Sequence, residues 1–218
     1  MAPRISQASV RRFSNYLHAV DEFGAAGHEV VSSRQLAAAA GVLPAQVRKD
    51  LSYLGGIGQR GLGYRVEALQ AELRAQLGLS REWPLAVVGA GNVGSALVAS
   101  SDFTRHRFQV VAIFDRAPER IGLALGPYRV QSIERFPQVC EENEVEIGVI
   151  ATAAEEAQQV ADLMVTVGLR AVLNFAPREV VLPEHVTVRA VNMARELESL
   201  SFSLTHLGFA GRRGTSFF

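Results

Sequence analysis

The chain has 218 residues, 48% of them hydrophobic and 20% charged, with basic and acidic side chains in equal number. That length buries a full core in one large domain or two modest ones, and no apolar run approaches the ~18 residues a membrane span needs. A single cysteine, Cys140, excludes a disulfide framework and any all-cysteine zinc site. No signal peptide is legible, so the expected location is the cytoplasm.

The zero net charge is unevenly spread. Residues 1–80 carry nine Lys/Arg against six Asp/Glu, and the remainder carries thirteen against sixteen. An excess of three is weak evidence for a polyanion partner, so the arrangement has to decide.

The first informative stretch is VSSRQLAAAAG, residues 31–41. With Ser32 as N-cap, Gln35 falls at N3 and completes a capping box, while Val31 and Leu36 form the hydrophobic staple. Gly41 is a natural stop, and Pro44 suits the first turn of a second helix. So short a connection predicts a helix-turn-helix. The second helix, about residues 44–54, places Val47, Leu51 and Leu54 on one arc. It leaves Gln46, Arg48, Lys49, Ser52 and Tyr53 on the other. Lys49 is the chain's only lysine. An outward face of donors and cations over an apolar stripe suits the major groove. Asp50, at the edge of the apolar arc, reads as a local ion-pair partner instead.

Five glycines follow between residues 55 and 63, and QRGLGYRV can form a small β-ribbon, a wing tipped by Arg60. An arginine on such a tip can reach a narrow minor groove. Ser33 and Tyr64 complete the expected DNA-facing set.

Past LGLSREWP the grammar changes to short apolar β-rich runs alternating with helices: LAVVGAG, VVAIFD, IGVIAT, RAVLNFA and VTVRAV. Runs without polar alternation suit a parallel sheet covered on both faces. The expected fold is therefore α/β. A winged helix-turn-helix domain spans residues 1–80 and a Rossmann-like parallel-sheet domain residues 81–192, with a terminal helix and tail over 193–218.

The loop LAVVGAGNVGSALV presents Gly89, Ala90, Gly91, Asn92, Val93 and Gly94 between a strand and a helix. Asp115 closes the next strand twenty-one residues after Gly94, where an acid receives the ribose hydroxyls of NAD. The helix N-terminus would hold the pyrophosphate. Asp115 would repel a 2′-phosphate, whereas the adjacent Arg116 leaves NADP open. No reaction centre accompanies the loop: this segment has no lysine, its one tyrosine (Tyr128) falls in a strand-like run, and the histidines and cysteine show no metal-ligand spacing. In the last segment, Leu197, Leu200, Leu204 and Leu207 form an apolar stripe at helical spacing, suited to its own domain or to a second subunit.

The stretch VSSRQLAAAAGVLPAQVRKDLSYLGGIGQRGLGYRVEAL, followed by VVGAGNVGSAL, FD and NFAP, strongly resembles the Rex family of bacterial redox-sensing repressors. The resemblance covers nearly the whole chain and implies a homodimer on palindromic double-stranded operator DNA, released by NADH, with NADH and NAD⁺ as the sensed ligands. It implies a C-terminal helix exchanged between subunits, no metal and no membrane. It adds Thr152, Ala153, Asn174, Phe175, Ala176 and Asn192 to the cofactor-binding set. The chain departs from the family pattern at Asn192 and Met193, where many members have Asp and a large apolar residue. It departs again at Ser100 and at Thr152–Ala153–Ala154.

Two readings compete with a repressor. One is a nicotinamide-dependent oxidoreductase with an N-terminal interaction module. The other is a winged-helix regulator whose Rossmann domain only dimerises.

Overall fold

The computed structural model describes residues 5–59, 61–100, 103 and 106–206. It divides into two compact units between Glu82 and Trp83.

The first unit contains α1 (Gln7–Ala25), β1 (Val30–Val31), α2 (Ser33–Ala40) and α3 (Pro44–Leu51). A one-turn 3-10 helix (Ser52–Leu54), β2 (Gly58–Gln59), β3 (Gly63–Arg65) and α4 (Val66–Gln76) follow. The capping box at Ser32 and Gln35 is present with both hydrogen bonds. Val31 and Leu36 share one core cluster, as the staple requires. Gly41 ends α2 with φ 65°, a left-handed conformation that favours glycine. The turn to α3 is therefore fixed by local chemistry before any packing. The second helix of the pair is shorter than its periodicity suggests. It is α-helical only to Leu51 and tightens into the 3-10 turn, while Val47, Leu51 and Leu54 still face the core. β2 and β3 form the expected ribbon, and β1 adds to it in the order β1-β3-β2, all antiparallel. Phe13, Tyr16, Val20, Leu69 and Leu73 fill the core between α1 and α4. Truncating one of these leucines to alanine would cost ~2–5 kcal/mol.

The second unit is a seven-stranded sheet in the order β10-β9-β8-β4-β5-β7-β6. Its strands are β4 (Trp83–Val88), β5 (Phe108–Asp115), β6 (Ala124–Leu125), β7 (Tyr128–Ser132), β8 (Ile147–Ile150), β9 (Ala171–Asn174) and β10 (Thr187–Ala190). Every pairing is parallel except β6 with β7. The five predicted runs are β4, β5, β8, β9 and β10. The β6–β7 hairpin extends the edge beyond them. Helices α5 (Asn92–Ala99), α6 (Phe136–Glu142) and α7 (Ala154–Thr166) accompany the sheet, whose residues divide into two apolar clusters. Cys140 lies in one of them, and burial pushes its thiol up to about 11.

From β4 the chain winds outward to β5 and β7, then returns to β8 on the opposite side of β4. This is the doubly wound Rossmann order, and its switch point lies between β4 and β8. A ligand crevice belongs outside the carboxyl ends of those two strands. The last helix, α8 (Met193–His206), buries none of its residues.

Candidate functional site

In the first unit the outward side of α3 is built as a platform on a buried carboxylate. Asp50 is 1% exposed. Its Oδ2 accepts from Arg12 Nε at 2.5 Å and from the Tyr16 hydroxyl at 2.9 Å, and its Oδ1 accepts from Arg12 Nη2 at 2.7 Å and Gln46 Nε2 at 2.9 Å. Burial pushes this carboxyl up. The hydrogen bonds from Arg12, Tyr16 and Gln46 outweigh that and hold it below the usual carboxylate range. The arrangement ties α3 to α1 through a bidentate ion pair, the stronger kind of hydrogen bond.

Above this platform Arg48, Lys49, Ser52 and Tyr53 are all exposed on one face. Arg48 donates to Ser33 Oγ at 3.2 Å, so Ser33 steers the guanidinium. Ser52 donates its hydroxyl to the Lys49 carbonyl at 2.6 Å. A cleft of about 550 Å³ separates this face from the wing, lined by Ser33, Arg48, Ser52, Gln59 and Leu62 among others. Arg60, expected at the wing tip, lies outside the described residues.

Two of the expected DNA-facing residues stand differently. Tyr64 lines the same cleft, but its ring is 9% exposed and belongs to the core cluster, where burial pushes its phenol up. The cause is β3, which pairs on both sides and turns Tyr64 inward against α3. Gln46 points to Asp50, so its amide nitrogen serves the protein first.

In the second unit a crevice of about 510 Å³ opens at the switch point. Gly89, Gly91, Asn92, Val93, Asp115, Arg116, Thr152 and Ala153 line it, joined by Ala117, Arg120, Ala151 and Glu156. The glycine loop divides into structural and ligand-facing positions. A Cβ on Gly94 would lie 1.8 Å from the Gly89 carbonyl oxygen, and one on Gly89, whose φ is +107°, would lie 2.4 Å from that of Ala151. Those two glycines are demanded by the fold itself. A Cβ on Gly91 would meet only the Arg120 guanidinium, at 3.8 Å. Nothing in the protein's own packing requires glycine there, whereas the close approach of a pyrophosphate does. Asn92 and Val93 begin α5, whose N-terminus favours an anion.

Asp115 closes β5 at 7% exposure. Its Oδ2 accepts from Ala90 N at 2.7 Å and from Arg120 Nη1 at 3.1 Å, and its Oδ1 accepts from Ala117 N at 2.9 Å. Burial raises this carboxyl, but the Ala117 and Ala90 amides together with Arg120 hold it below the ordinary range. The acid therefore pins the glycine loop as well as facing the crevice. Arg116 is exposed and donates to Gln159 Oε1 on α7 at 2.7 Å.

Six residues expected at the cofactor lie outside this crevice lining: Ala90 and Gly94 within the loop, and Asn174, Phe175, Ala176 and Asn192. Asn174 is 1% exposed; it donates to the Arg178 carbonyl at 2.7 Å and accepts from Ala176 N at 2.9 Å. Its side chain shapes the turn after β9. Ala176 is buried and Phe175 packs on the sheet core. Asn192 caps α8, accepting from Ala194 N at 3.0 Å and Arg195 N at 3.3 Å. An asparagine in the N-cap position does what an aspartate would, without the charge. Arg120 and Glu156 are the residues that motif reasoning missed. Only their nearness to Asp115 and to the start of α7 could have marked them.

The described residues contain no group of three His, Cys, Asp or Glu able to hold a metal. Among them, no helix is long and apolar enough to cross a membrane.

Comparison with known proteins places both units in one family. The family model Put_DNA-bind_N, which describes a DNA-binding protein N-terminus, matches residues 4–52, and the model of the CoA binding domain matches residues 80–178. The redox-sensing transcriptional repressor Rex of Desulforamulus reducens is 43% identical over 203 residues, 93% of this chain and 97% of that protein. The Rex of Streptomyces coelicolor is 42% identical over 198 residues, 91% of this chain and 77% of its own length. Among solved structures, RSP in complex with β-NAD⁺ and operator DNA superposes with a TM-score of 0.87 at 32% identity, covering 94% of each chain. RSP in complex with β-NADH gives 0.84 at 30% identity, covering 93% of this chain and 95% of RSP. The order of a helix-turn-helix with a wing and then a glycine-loop Rossmann sheet, matched over nine-tenths of the chain, has one conclusion: the chain belongs to the Rex family of redox-sensing transcriptional repressors.

Proposed function

We propose that this chain is a homodimeric transcriptional repressor that binds palindromic operator DNA and is released from it when NADH occupies the Rossmann crevice. The observation that carries this reading is the pairing, in one chain, of a cationic helix face held by a buried ion pair with a crevice whose second glycine only a ligand needs. Arg48, Lys49, Ser52 and Tyr53 supply the DNA contacts, with Arg60 at the wing. Counterion release makes such binding steeply salt-dependent. The glycine loop and the start of α5 receive the pyrophosphate, and Asp115 takes the adenosine ribose.

The exposed face of α8 supports the dimer. Met193, Leu197, Leu200 and Leu204, at helical spacing on one side, are each 59–70% exposed, and a contiguous patch of that kind marks an interaction site; Leu207, expected on the same stripe, lies outside the described residues. A second copy of the chain is the partner that a two-half-site reader requires. In this reading the helix is exchanged between subunits.

Reduction of NAD⁺ removes the ring's positive charge, and the apolar lining at Ala151 and Ala153 desolvates the neutral ring at lower cost. NADH thereby shifts the dimer toward a state that no longer matches two half-sites, by the margin of its differential affinity. Because Asn192 carries no charge, that margin is smaller here than with an aspartate. The crevice is lined by small residues, two arginines, Asp115 and Glu156. We read it as a sensing site rather than a catalytic one.

Titration of NADH and of NAD⁺ into the protein–operator complex tests the reading. Release by NADH at lower concentration than by NAD⁺ is expected. Operator affinity indifferent to both nucleotides at millimolar concentration would leave the Rossmann unit a dimerisation scaffold.

A further inference from the structure

The chain carries twenty-one arginines and one lysine. A guanidinium stays protonated in proteins and is no nucleophile, whereas a lysine amine that has shed its proton is one. Lys49 is therefore the only side-chain amine in the molecule that an activated acyl group can meet. The single thiol offers no competing target: Cys140 is 5% exposed in the sheet core, and burial pushes it up to about 11. Lys49 itself is exposed, next to Arg48 on the outward face of α3. The neighbouring carboxylate does not reach for it, because Asp50 is buried and already accepts from Arg12, Tyr16 and Gln46. Among the described residues no carboxylate forms an ion pair with Lys49. The one amine open to acylation thus stands on the face assigned to DNA.

We propose that Lys49 is a modification site at which N-acylation switches off DNA binding, and at which bound DNA in turn blocks acylation. The proposal rests on the repressor reading above, which sets Lys49 against the operator. The donor is an activated acyl group, a thioester or an acyl phosphate. The neutral Nζ attacks its carbonyl carbon, the N–C bond forms as the C–S or C–O bond breaks, and thiolate or phosphate leaves. The amine's proton passes to the leaving group or to water, and no oxidant or reductant is needed. The product is a neutral amide, so each half-site loses a point charge and the donors that went with it. One amine cannot face DNA and an acyl donor at once. Acylation is consequently confined to protein that has left its operator, and the modified dimer returns to it poorly. Release is thereby prolonged beyond the residence of the nucleotide that caused it.

The test incubates the full-length protein with acetyl phosphate or with acetyl-coenzyme A, in the presence and absence of a palindromic duplex selected for binding to the untreated protein. Acetyl groups are located by peptide mass spectrometry. Affinity for the duplex is measured before and after treatment for the parent and for Lys49→Arg, each compared with its own untreated state. Acetylation of Lys49 is expected in the free protein and is suppressed by the duplex. The fully acetylated parent should bind roughly tenfold or more weakly, since each half-site loses a cationic contact. Its slope of log affinity against log salt should fall by about one per half-site. Lys49→Arg, which has no amine to acylate, should show no change on treatment. Modification by only one of the two donors supports the proposal and identifies the source of the acyl group. Labelling of the chain's amino terminus alone, equal labelling of Lys49 with and without duplex, or full affinity after complete acetylation overturns the proposal while the repressor reading stands. If the untreated protein selects no duplex, the repressor reading itself fails and the proposal with it.

Discussion

In the proposed reading the two units hold a polyanion in opposite ways. In the first, the working side chains are exposed cations and hydroxyls on a short helix, and what is buried is the carboxylate that aims the helix. In the second, the working groups are backbone amides of a glycine loop, and the buried carboxylate faces the ligand itself. The DNA face can therefore be edited residue by residue without harm to the fold, while the nucleotide loop has no room for an added atom at Gly89 or Gly94. Electrostatic reach dominates the first and shape the second.

Breaking that contrast most severely should require Gly94→Val. The new Cβ would fall 1.8 Å from the Gly89 carbonyl oxygen, and overpacking of this kind costs ~3 kcal/mol or more. A large drop in the thermal midpoint of the Rossmann unit is expected. Gly91→Ala, three residues earlier, should melt normally and lose nucleotide affinity instead. Equal melting of the two variants would remove the distinction between fold-required and ligand-required glycines.

Next in size is Asp50→Ala, which leaves the Tyr16 hydroxyl and Arg12 without their shared acceptor. A loss of ~2–4 kcal/mol is expected from the denaturant midpoint of the first unit. The pH dependence follows from the depressed carboxyl. Its contribution is complete above the ordinary aspartate range near pH ~4 and is lost as the pH falls through the lower folded-state value. The variant's stability should accordingly be flatter with pH below ~4 than that of the parent. Operator affinity should fall with it, since α3 loses its tie to α1.

Lys49→Ala combined with Arg48→Ala should leave the melting midpoint within ~0.5 kcal/mol of the parent, as surface substitutions do. It should still cost ~1–3 kcal/mol per half-site in operator binding and lower the slope of log affinity against log salt. Unchanged affinity would show that this helix is not the reader. The smallest effect on the isolated fold is expected from Leu197→Ser with Leu200→Ser, because α8 buries no residue within its own chain. Sedimentation should show loss of the dimer with the secondary structure retained. An intact dimer would place its interface elsewhere.

The legible parts of the molecule were those governed by neighbours in sequence. The capping box of α2, the Gly41 stop and the inward arc of Val47, Leu51 and Leu54 are i, i+3 and i, i+4 relations, and the structure shows each of them. The same holds for the strands of the five apolar runs, although β10 buries none of its four residues while β4, β5, β8 and β9 do. Of the β6–β7 edge only the strand-like run at Tyr128 was readable, because the two residues of β6 carry too little pattern. The burial of Tyr64 at the cleft was not readable, because the register of β3 in its sheet, not composition, sets which way a strand residue faces.

By itself, then, the sequence determined the elements, their order and the chemistry available: a cationic helix after a tight turn, and a glycine loop with an acid at the end of the following strand. Only the tertiary structure decided which of those groups are free to act. Asp50 meets Arg12 across thirty-eight residues, Asn174 spends its amide on its own turn, and Arg120 lies across Asp115 at the mouth of the crevice. Each of these is a hydrogen bond between groups brought together by packing, and hydrogen-bond partners depend on where buried atoms meet. That information is not carried by residue type or spacing.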